Sequence, residues 1–275
     1  MRLLYSDKLR KHIPLFIKKR FFKLFYDNHR STDQVFFIFL GCRLRYCTKA
    51  FFTYLRRWNP KCKMVLFMTD IVSKNSAFDL AFVKSEFDLV YTYDHNDAKK
   101  YGFEYHTTVY SPINTNIKNK DIREDLFFCG MAKERMNLIS RISEYLSEND
   151  VKHTFYVPDA CDTKDENISP ERLDYSENIA RVLESNCILE IEQNGASGYT
   201  LRTWEALQYK KKLLTNNKKI IEADFYDPKY IKVFSNPEDI DLDWLKIHEK
   251  VEYSNYNVSV ISFFQDISDY FNCEE

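Results

Sequence analysis

The sequence predicts an α/β fold of two domains, each with a mostly parallel sheet. Three observations point there. Short apolar or β-branched runs alternate with amphipathic stretches along most of the chain. A Pro-, Asn- and charge-rich segment interrupts that alternation near the middle. The length of 275 residues suffices for two compact cores but not for two large ones. Hydrophobic residues make up 44% and charged residues 29%, which excludes wholesale disorder.

Taken in order, residues 35–40, 64–68 and 88–91 read as strands with helical stretches between them, and weaker strand candidates stand at 107–110 and 2–5. SPINTNIKNKDIRED, residues 111–125, reads as the interdomain linker. The domains are accordingly expected at 1–115 and 116–255, with 256–275 a C-terminal helix packing back toward the first domain. The second series opens at Leu126, where LFFCG is a strand entering a glycine turn. A helix follows through AKERMNLISRISEYLSEN, with Met136, Ile139, Ile142 and Leu146 on its buried face. HTFYVP is the next strand, residues 159–170 a polar loop, 175–184 a helix, and 187–191 a strand. A further helix is expected at 202–209, a strand in KKLLTN, a last strand at 231–234 and a tail helix near 257–271.

The net charge of -1 hides an asymmetry: residues 1–60 hold 14 Lys or Arg against 3 Asp or Glu. Such a basic portion suits an anionic partner or a solvated surface. KHIPLFIKKRFFKLFYDNHR, residues 11–30, interleaves cations with aromatics. It reads either as a contact with anionic headgroups or as a basic helix packed by its Phe residues. The seven cysteines form no CxxC pair, which fits a reduced, cytoplasmic protein. MRLLYSDKLRK has no apolar core or cleavage site of a leader, and no run approaches a membrane span.

EIEQNGASGYTLRTWEALQYKKKLLTNN, residues 190–217, orders strand, glycine loop, helix, Lys-rich turn and strand. Glycines allow close approach of a ligand to main-chain nitrogens, and the following helix start favours a phosphate. Thr200 reads as a helix cap or a hydroxyl donor, Arg202 as a phosphate fork or a surface ion-pair partner, and Glu205 as an acceptor for a ribose diol or an ordinary first-turn acid. The only DxD spacing, DIDLD at 239–243, reads as a turn or helix start. Asp159 and Asp162 read as solvated turn residues.

The segment resembles the donor-binding domain of GT-B-fold glycosyltransferases, especially bacterial polysaccharide and lipopolysaccharide enzymes and the spore-maturation-like transferases. The matching residues are Gly198, Thr200, Arg202, Glu205, Ala206 and Leu207, then Lys212, Leu213, Leu214 and Thr215, with Tyr199 inserted between the glycine and the threonine. The strand-Phe-x-Gly turn ending at Gly130, with Arg135 on the next helix, is similar to the family's entry into that domain. The resemblance implies two Rossmann-like domains and donor-binding residues Gly130, Arg135, Gly198, Tyr199, Thr200, Arg202 and Glu205. It implies a metal-independent transfer of sugar from a nucleotide diphosphate sugar to a glycan or lipid-linked glycan acceptor, with no further cofactor. Ser197 stands eight positions before Glu205, where retaining relatives carry a glutamate, so inversion is expected.

An inverting enzyme needs a base at the acceptor hydroxyl. Asp70, just beyond the strand at 64–68, is the first candidate and a helix cap otherwise; His95 and Asp94, beyond the next strand, are the others, with Asp94 equally able to cap the helix that follows. Gly41, Arg43 and Arg45 are placed to orient an anionic acceptor. Two other functions fit parts of the sequence: a noncatalytic sugar-nucleotide-binding protein, and a nucleic-acid-binding module using the basic N-terminal portion. The second leaves residues 190–217 unexplained, so no nucleic-acid partner is expected.

Overall fold

A computed structural model describes residues 16–17, 20, 34–112, 121–160, 163–254 and 256–273. The expected strand at 2–5, Asp162 and most of the basic aromatic stretch at 11–30 lie outside these residues. The chain divides between His106 and Thr107 into two compact α/β units, the two-Rossmann-unit composition of the GT-B pattern.

Unit 1 carries a four-stranded parallel sheet in the order β1-β2-β3-β4, with β1 at Phe36–Leu40, β2 at Lys63–Met68, β3 at Leu89–Thr92 and β4 at Glu104–Tyr105. The crossovers contain α1 (Lys49–Trp58), α2 (Leu80–Glu86) and α3 (His95–Tyr101). Each starts on a short polar side chain that accepts an orphan N–H: Thr48 from Phe51, Asp79 from Phe82 and Asp94 from Asp97. Gly102 ends α3 at φ 68°, a left-handed conformation that glycine adopts without steric cost. Phe39, Phe52, Phe82 and Phe87 pack edge-on or tilted in the core, with the Phe52 and Phe87 rings 5.1 Å apart. No strand forms at 107–110. Tyr110 is instead drawn into the unit 2 core, where its N–H donates to Val258 O at 2.9 Å, and β3 pairs with the shorter β4.

Unit 2 carries a six-stranded parallel sheet in the order β10-β9-β8-β5-β6-β7. Its strands are β5 (Glu124–Cys129), β6 (His153–Tyr156), β7 (Ile168–Ser169), β8 (Ser185–Glu190), β9 (Lys212–Thr215) and β10 (Ile231–Val233). Its helices are α4 (Met136–Glu148), α5 (Tyr175–Glu184), α6 (Leu201–Gln208), α7 (Leu242–Lys246) and α8 (Val260–Asn272). Alternate strand residues face opposite layers. Leu126, Phe128, Cys187, Leu189 and Leu214 join one core with Ile139, Ile142 and Leu146 of α4. Phe127, Ile188 and Leu213 join the other with Val182 of α5 and Trp204 and Leu207 of α6. A sheet covered on both faces explains the continuous apolar strands. Burial of each such side chain stabilises the fold by about 1.5–3 kcal/mol. The polar loop at 159–170 contributes one short strand, β7, because Ile168 reaches the edge of β6 opposite Phe155.

Candidate functional site

The strand order of unit 2 fixes where a crevice opens. From β5 the chain winds outward through β6 and β7, returns to β8 on the other side of β5, and winds outward again through β9 and β10. β5 and β8 therefore flank a switch point, beyond whose carboxyl ends open parallel sheets bind ligands. Those ends are Cys129 and Glu190.

The turn after β5 is held by its neighbours. Gly130 N donates to Tyr156 O at 2.9 Å, and the Ala132 and Lys133 N–H groups donate to the Asp159 carboxylate at 2.6 and 2.9 Å. Burial works to raise the Asp159 pKa, but these two bonds and the Arg135 charge bring it below the ordinary value. Asp159 is thus the buttress of the Gly130 turn rather than the solvated turn residue the sequence suggests. Arg135, at the end of the 3-10 turn Lys133–Arg135, donates to Ile191 O, to Met131 O and, at 3.2 Å, to Ala132 O. It ties the turn after β5 to the segment after β8. Burial lowers its pKa, Glu134 and Asp159 work against that, and the neighbouring Arg202 charge lowers it further.

Arg202 makes the reciprocal tie. Its Nε donates to Cys129 O at 2.8 Å, its Nη2 donates to the same oxygen, and Nη1 donates to Glu205 Oε2 at 2.5 Å. The Arg202 side chain is 21% exposed and that of Glu205 is 0% exposed. Glu205 Oε1 accepts from Asn178 Nδ2 at 3.2 Å, so Glu205 is a buried orienter of Arg202 and presents no exposed carboxylate to a ribose. A guanidinium carries five N–H donors. Among the described residues three are used on each arginine, which leaves two on Arg135 and two on Arg202.

Glu190, missed by the sequence reading, organises the start of α6. Its Oε1 accepts from Thr200 Oγ1 at 2.5 Å and Thr203 Oγ1 at 2.7 Å, and its Oε2 from Thr215 Oγ1 at 2.7 Å. Thr200 Oγ1 also accepts from Arg202 N at 3.1 Å. The expected cap is present, but its hydroxyl proton is committed to Glu190 and is not free for a phosphate. Gly195 bends the preceding loop at φ 85°. Gly198 is buried, with its carbonyl accepting from Asn217 Nδ2 at 3.3 Å. The Tyr199 ring packs at 5.9 Å from Trp204 and 5.2 Å from Phe225 in the core.

In unit 1 the three candidate bases follow strand ends. Asp70 is exposed in the turn after β2, and Ile71 rather than Asp70 precedes the next 3-10 turn, without a side-chain cap. Asp94 is buried and its carboxylate accepts from Asp97 N at 2.9 Å, the capping role. His95 opens α3 with its ring stacked 4.0 Å from Tyr105. Asp97 Oδ2 accepts from Val72 N at 2.7 Å and so joins the turns after β2 and β3; its burial raises its pKa. Gly41 opens a 3-10 turn that carries Arg43 and Arg45 along the chain after β1. Among the described residues no three His, Cys, Asp or Glu side chains are grouped to share a metal ion. The DIDLD segment starts a helix, with Asp241 Oδ1 accepting from Trp244 N at 3.0 Å. No helix among the described residues is long and apolar enough to cross a membrane.

No family model matches the chain, and no curated protein does. Among solved structures the chain is similar to T4 phage BGT in complex with UDP and Mn2+, at 14% identity over 74% of this chain and 66% of that one, with a TM-score of 0.41. It is similar to T4 phage BGT in complex with its UDP-glucose substrate at 13% identity over 78% and 64%, TM-score 0.38. It is similar to the Glycosylation Associate Protein (Gap123) complex from Streptococcus agalactiae at 13% identity over 93% and 56%, TM-score 0.44. The chain thus spans less than two thirds of the length of each of these relatives, with the first just below that mark at 66%.

Proposed function

We propose that the chain is a glycosyltransferase that takes a sugar from a nucleotide diphosphate donor at the switch point of unit 2 and passes it to a glycan or lipid-linked glycan acceptor. The observation that carries this reading is the arginine pair. Burial lowers the Arg135 pKa and the neighbouring Arg202 charge lowers it further, each guanidinium retains two N–H donors among the described residues, and both are fixed by main-chain carbonyls at the end of β5 and just after β8. An anion placed there relieves the repulsion and takes charge-assisted bonds. The start of α6 adds a favourable dipole.

In the transfer, the acceptor oxygen loses its proton to a base and bonds to the anomeric carbon while that carbon's bond to the diphosphate oxygen breaks. Charge then builds on the diphosphate, where pre-fixed N–H donors lower the barrier most. The arginines supply positive charge without a metal. Asp70, exposed beyond β2, is the base, and a single displacement inverts the anomeric centre. Thr200 and Glu205 act by holding α6 and Arg202, not by touching the donor. A membrane-borne acceptor at the inner face of the cytoplasmic membrane suits the basic aromatic stretch at 11–30, a reading that rests on sequence alone.

Calorimetric titration with a panel of nucleoside diphosphates and nucleotide sugars tests the donor site. One nucleotide series is expected to bind, and Arg135→Gln and Arg202→Lys are each expected to weaken it about tenfold or more, the worth of one charge-assisted bond. Arg202→Lys keeps a cation opposite Glu205 while removing the fork. Binding equal in both variants, or no binding at millimolar nucleotide, would sink the assignment. Acceptor-dependent nucleotide release, lost in Asp70→Asn while binding persists, separates a transferase from a protein that only holds the donor.

A further inference from the structure

A second charged feature lies at the opposite, amino end of the unit 2 sheet. There a cavity of about 270 Å3 is lined by Asn186 near the start of β8, by Lys210 and Lys211 before β9, by His248, Glu249 and Lys250 after α7, and by the apolar Ile122 and Val251. Lys210 leaves α6 at φ 55°, which turns the chain so that Lys211 enters the cavity wall. Lys211 is only 8% exposed, and its Nζ donates to Leu183 O at 2.8 Å. It forms no ion pair among the described residues.

Its neighbour shows what a buried lysine ordinarily requires. Lys212 is 0% exposed, donates to Trp244 O and Ile247 O at 2.8 and 2.7 Å, and has Glu249 at 3.6 Å. Glu249 is also bonded to Lys229 at 2.9 Å, so the one carboxylate on the cavity wall is committed elsewhere. His248 is held by Asp125 at 2.9 Å and Lys250 by Glu252 at 2.5 Å. An ammonium has three donors, so Lys211 keeps two beyond its bond to Leu183. A buried cation without a carboxylate costs stability, and an anion in the cavity would offset that cost.

We propose that this cavity is a binding site for a small phosphate-type dianion, either inorganic phosphate or a short phosphomonoester, held by the ammonium group of Lys211, with the exposed Lys210 and Lys250 at the rim. A volume just under the usual range for small-molecule pockets, about 300–1,000 Å3, admits the phosphate and a few carbons against Ile122 and Val251 but not a nucleotide. Burial lowers the Lys211 pKa to about 8. The site is distinct from the switch point, which lies at the other end of the same strands.

The test is calorimetric titration of the full chain with inorganic phosphate and, separately, with glycerol phosphate, against sodium chloride at matched ionic strength. Saturable binding with Kd on the order of 1 mM or tighter is expected for at least one, and the tighter of the two names the source of the phosphate. Lys211→Gln is expected to weaken it at least about tenfold and Lys250→Gln severalfold. The Lys250 side chain is 81% exposed, so that variant keeps the test informative if Lys211→Gln does not fold. In Arg135→Gln, which takes the switch point out of the anion signal, the Lys211-dependent binding is expected to persist. Heat reproduced by sodium chloride, affinity unaltered in the lysine variants, or affinity lost in Arg135→Gln instead would each overturn the proposal.

Discussion

The two ends of the unit 2 sheet handle buried charge in opposite ways. At the carboxyl end Glu205 faces Arg202, and Glu190 faces the hydroxyls of Thr200, Thr203 and Thr215. These charges are answered within the chain, and what is left over is donor capacity on two fixed guanidinium groups. At the amino end Lys211 is nearly as buried, yet its side chain's only described bond is to a carbonyl. The first arrangement is scaffolding that aims a site; the second is an unfilled electrostatic demand. Burial alone does not separate them, because adjacent Lys211 and Lys212 are both buried. The position of a carboxylate does.

The largest effect is expected at the carboxyl end. Arg202→Ala leaves the Glu205 carboxylate, 0% exposed, with only the Asn178 amide. Removing one partner of such a buried pair costs about 3–5 kcal/mol. Urea unfolding should show that loss, and Arg202→Met combined with Glu205→Met should recover most of it because neither charge of the pair is then left buried alone. A double variant no more stable than Arg202→Ala would mean that the pair does more than neutralise itself.

At the amino end the adjacent lysines are expected to respond with opposite signs. In phosphate-free buffer at pH 7, Lys211→Met removes an uncompensated cation and should stabilise the fold by about 0.5–2 kcal/mol. Lys212→Met strips the donor from Trp244 O and Ile247 O and should destabilise it by about 1–3 kcal/mol. The pH dependence follows from the Lys211 pKa, about 8 in the fold against about 10.4 unfolded. Between those values the unfolded state binds more protons, so this lysine makes stability rise with pH from about 8 to about 10.4. The rise is worth on the order of 3 kcal/mol at most. Lys210, His248, Glu249 and Lys250 line the same cavity, so the measurement is the difference between wild type and Lys211→Met across that window. Parallel pH curves for the two proteins would show that Lys211 titrates as if solvated.

Much of the fold was legible because local signals agree with the tertiary structure. Helix α5 runs over Tyr175–Glu184, the expected bounds, because Asp174 and Glu177 form a capping box. The strand-turn-Arg and Gly-Thr-x-Arg patterns brought Gly130, Arg135, Thr200 and Arg202 to one end of one sheet. What the sequence hid depends on register and rotation. Glu190 meets threonines 10, 13 and 25 positions away only because α6 and β9 pack beside β8. Tyr199 sits beside a glycine in the loop, but its ring turns toward Trp204 and Phe225, where burying an aromatic is worth more than exposing it. Lys211 and Lys212 are alike in sequence, and only the packed structure gives Lys212 a carboxylate and Lys211 a carbonyl.

The smallest expected quantity, a coupling between Glu190 and Thr215, asks whether the scaffold depends on a negative charge or only on acceptors. Glu190→Gln preserves shape and one carbonyl oxygen. Turned to keep accepting from Thr200 and Thr203, the new amide presents N–H2 to Thr215 Oγ1, which already accepts from Asn217 N at 3.0 Å. The Thr215 proton then has no acceptor, a loss of about 1–3 kcal/mol for a buried polar group. Thr215→Val alone removes the same bond from the other side, so the two substitutions should be less than additive by on the order of 1 kcal/mol. Nucleotide affinity should fall only slightly, since Arg202 keeps its ties to Cys129 and Glu205. If Glu190→Gln instead matches wild type in urea, the carboxylate is dispensable. The contrast between the two ends of the sheet would then rest on the arginine pair and Lys211 alone.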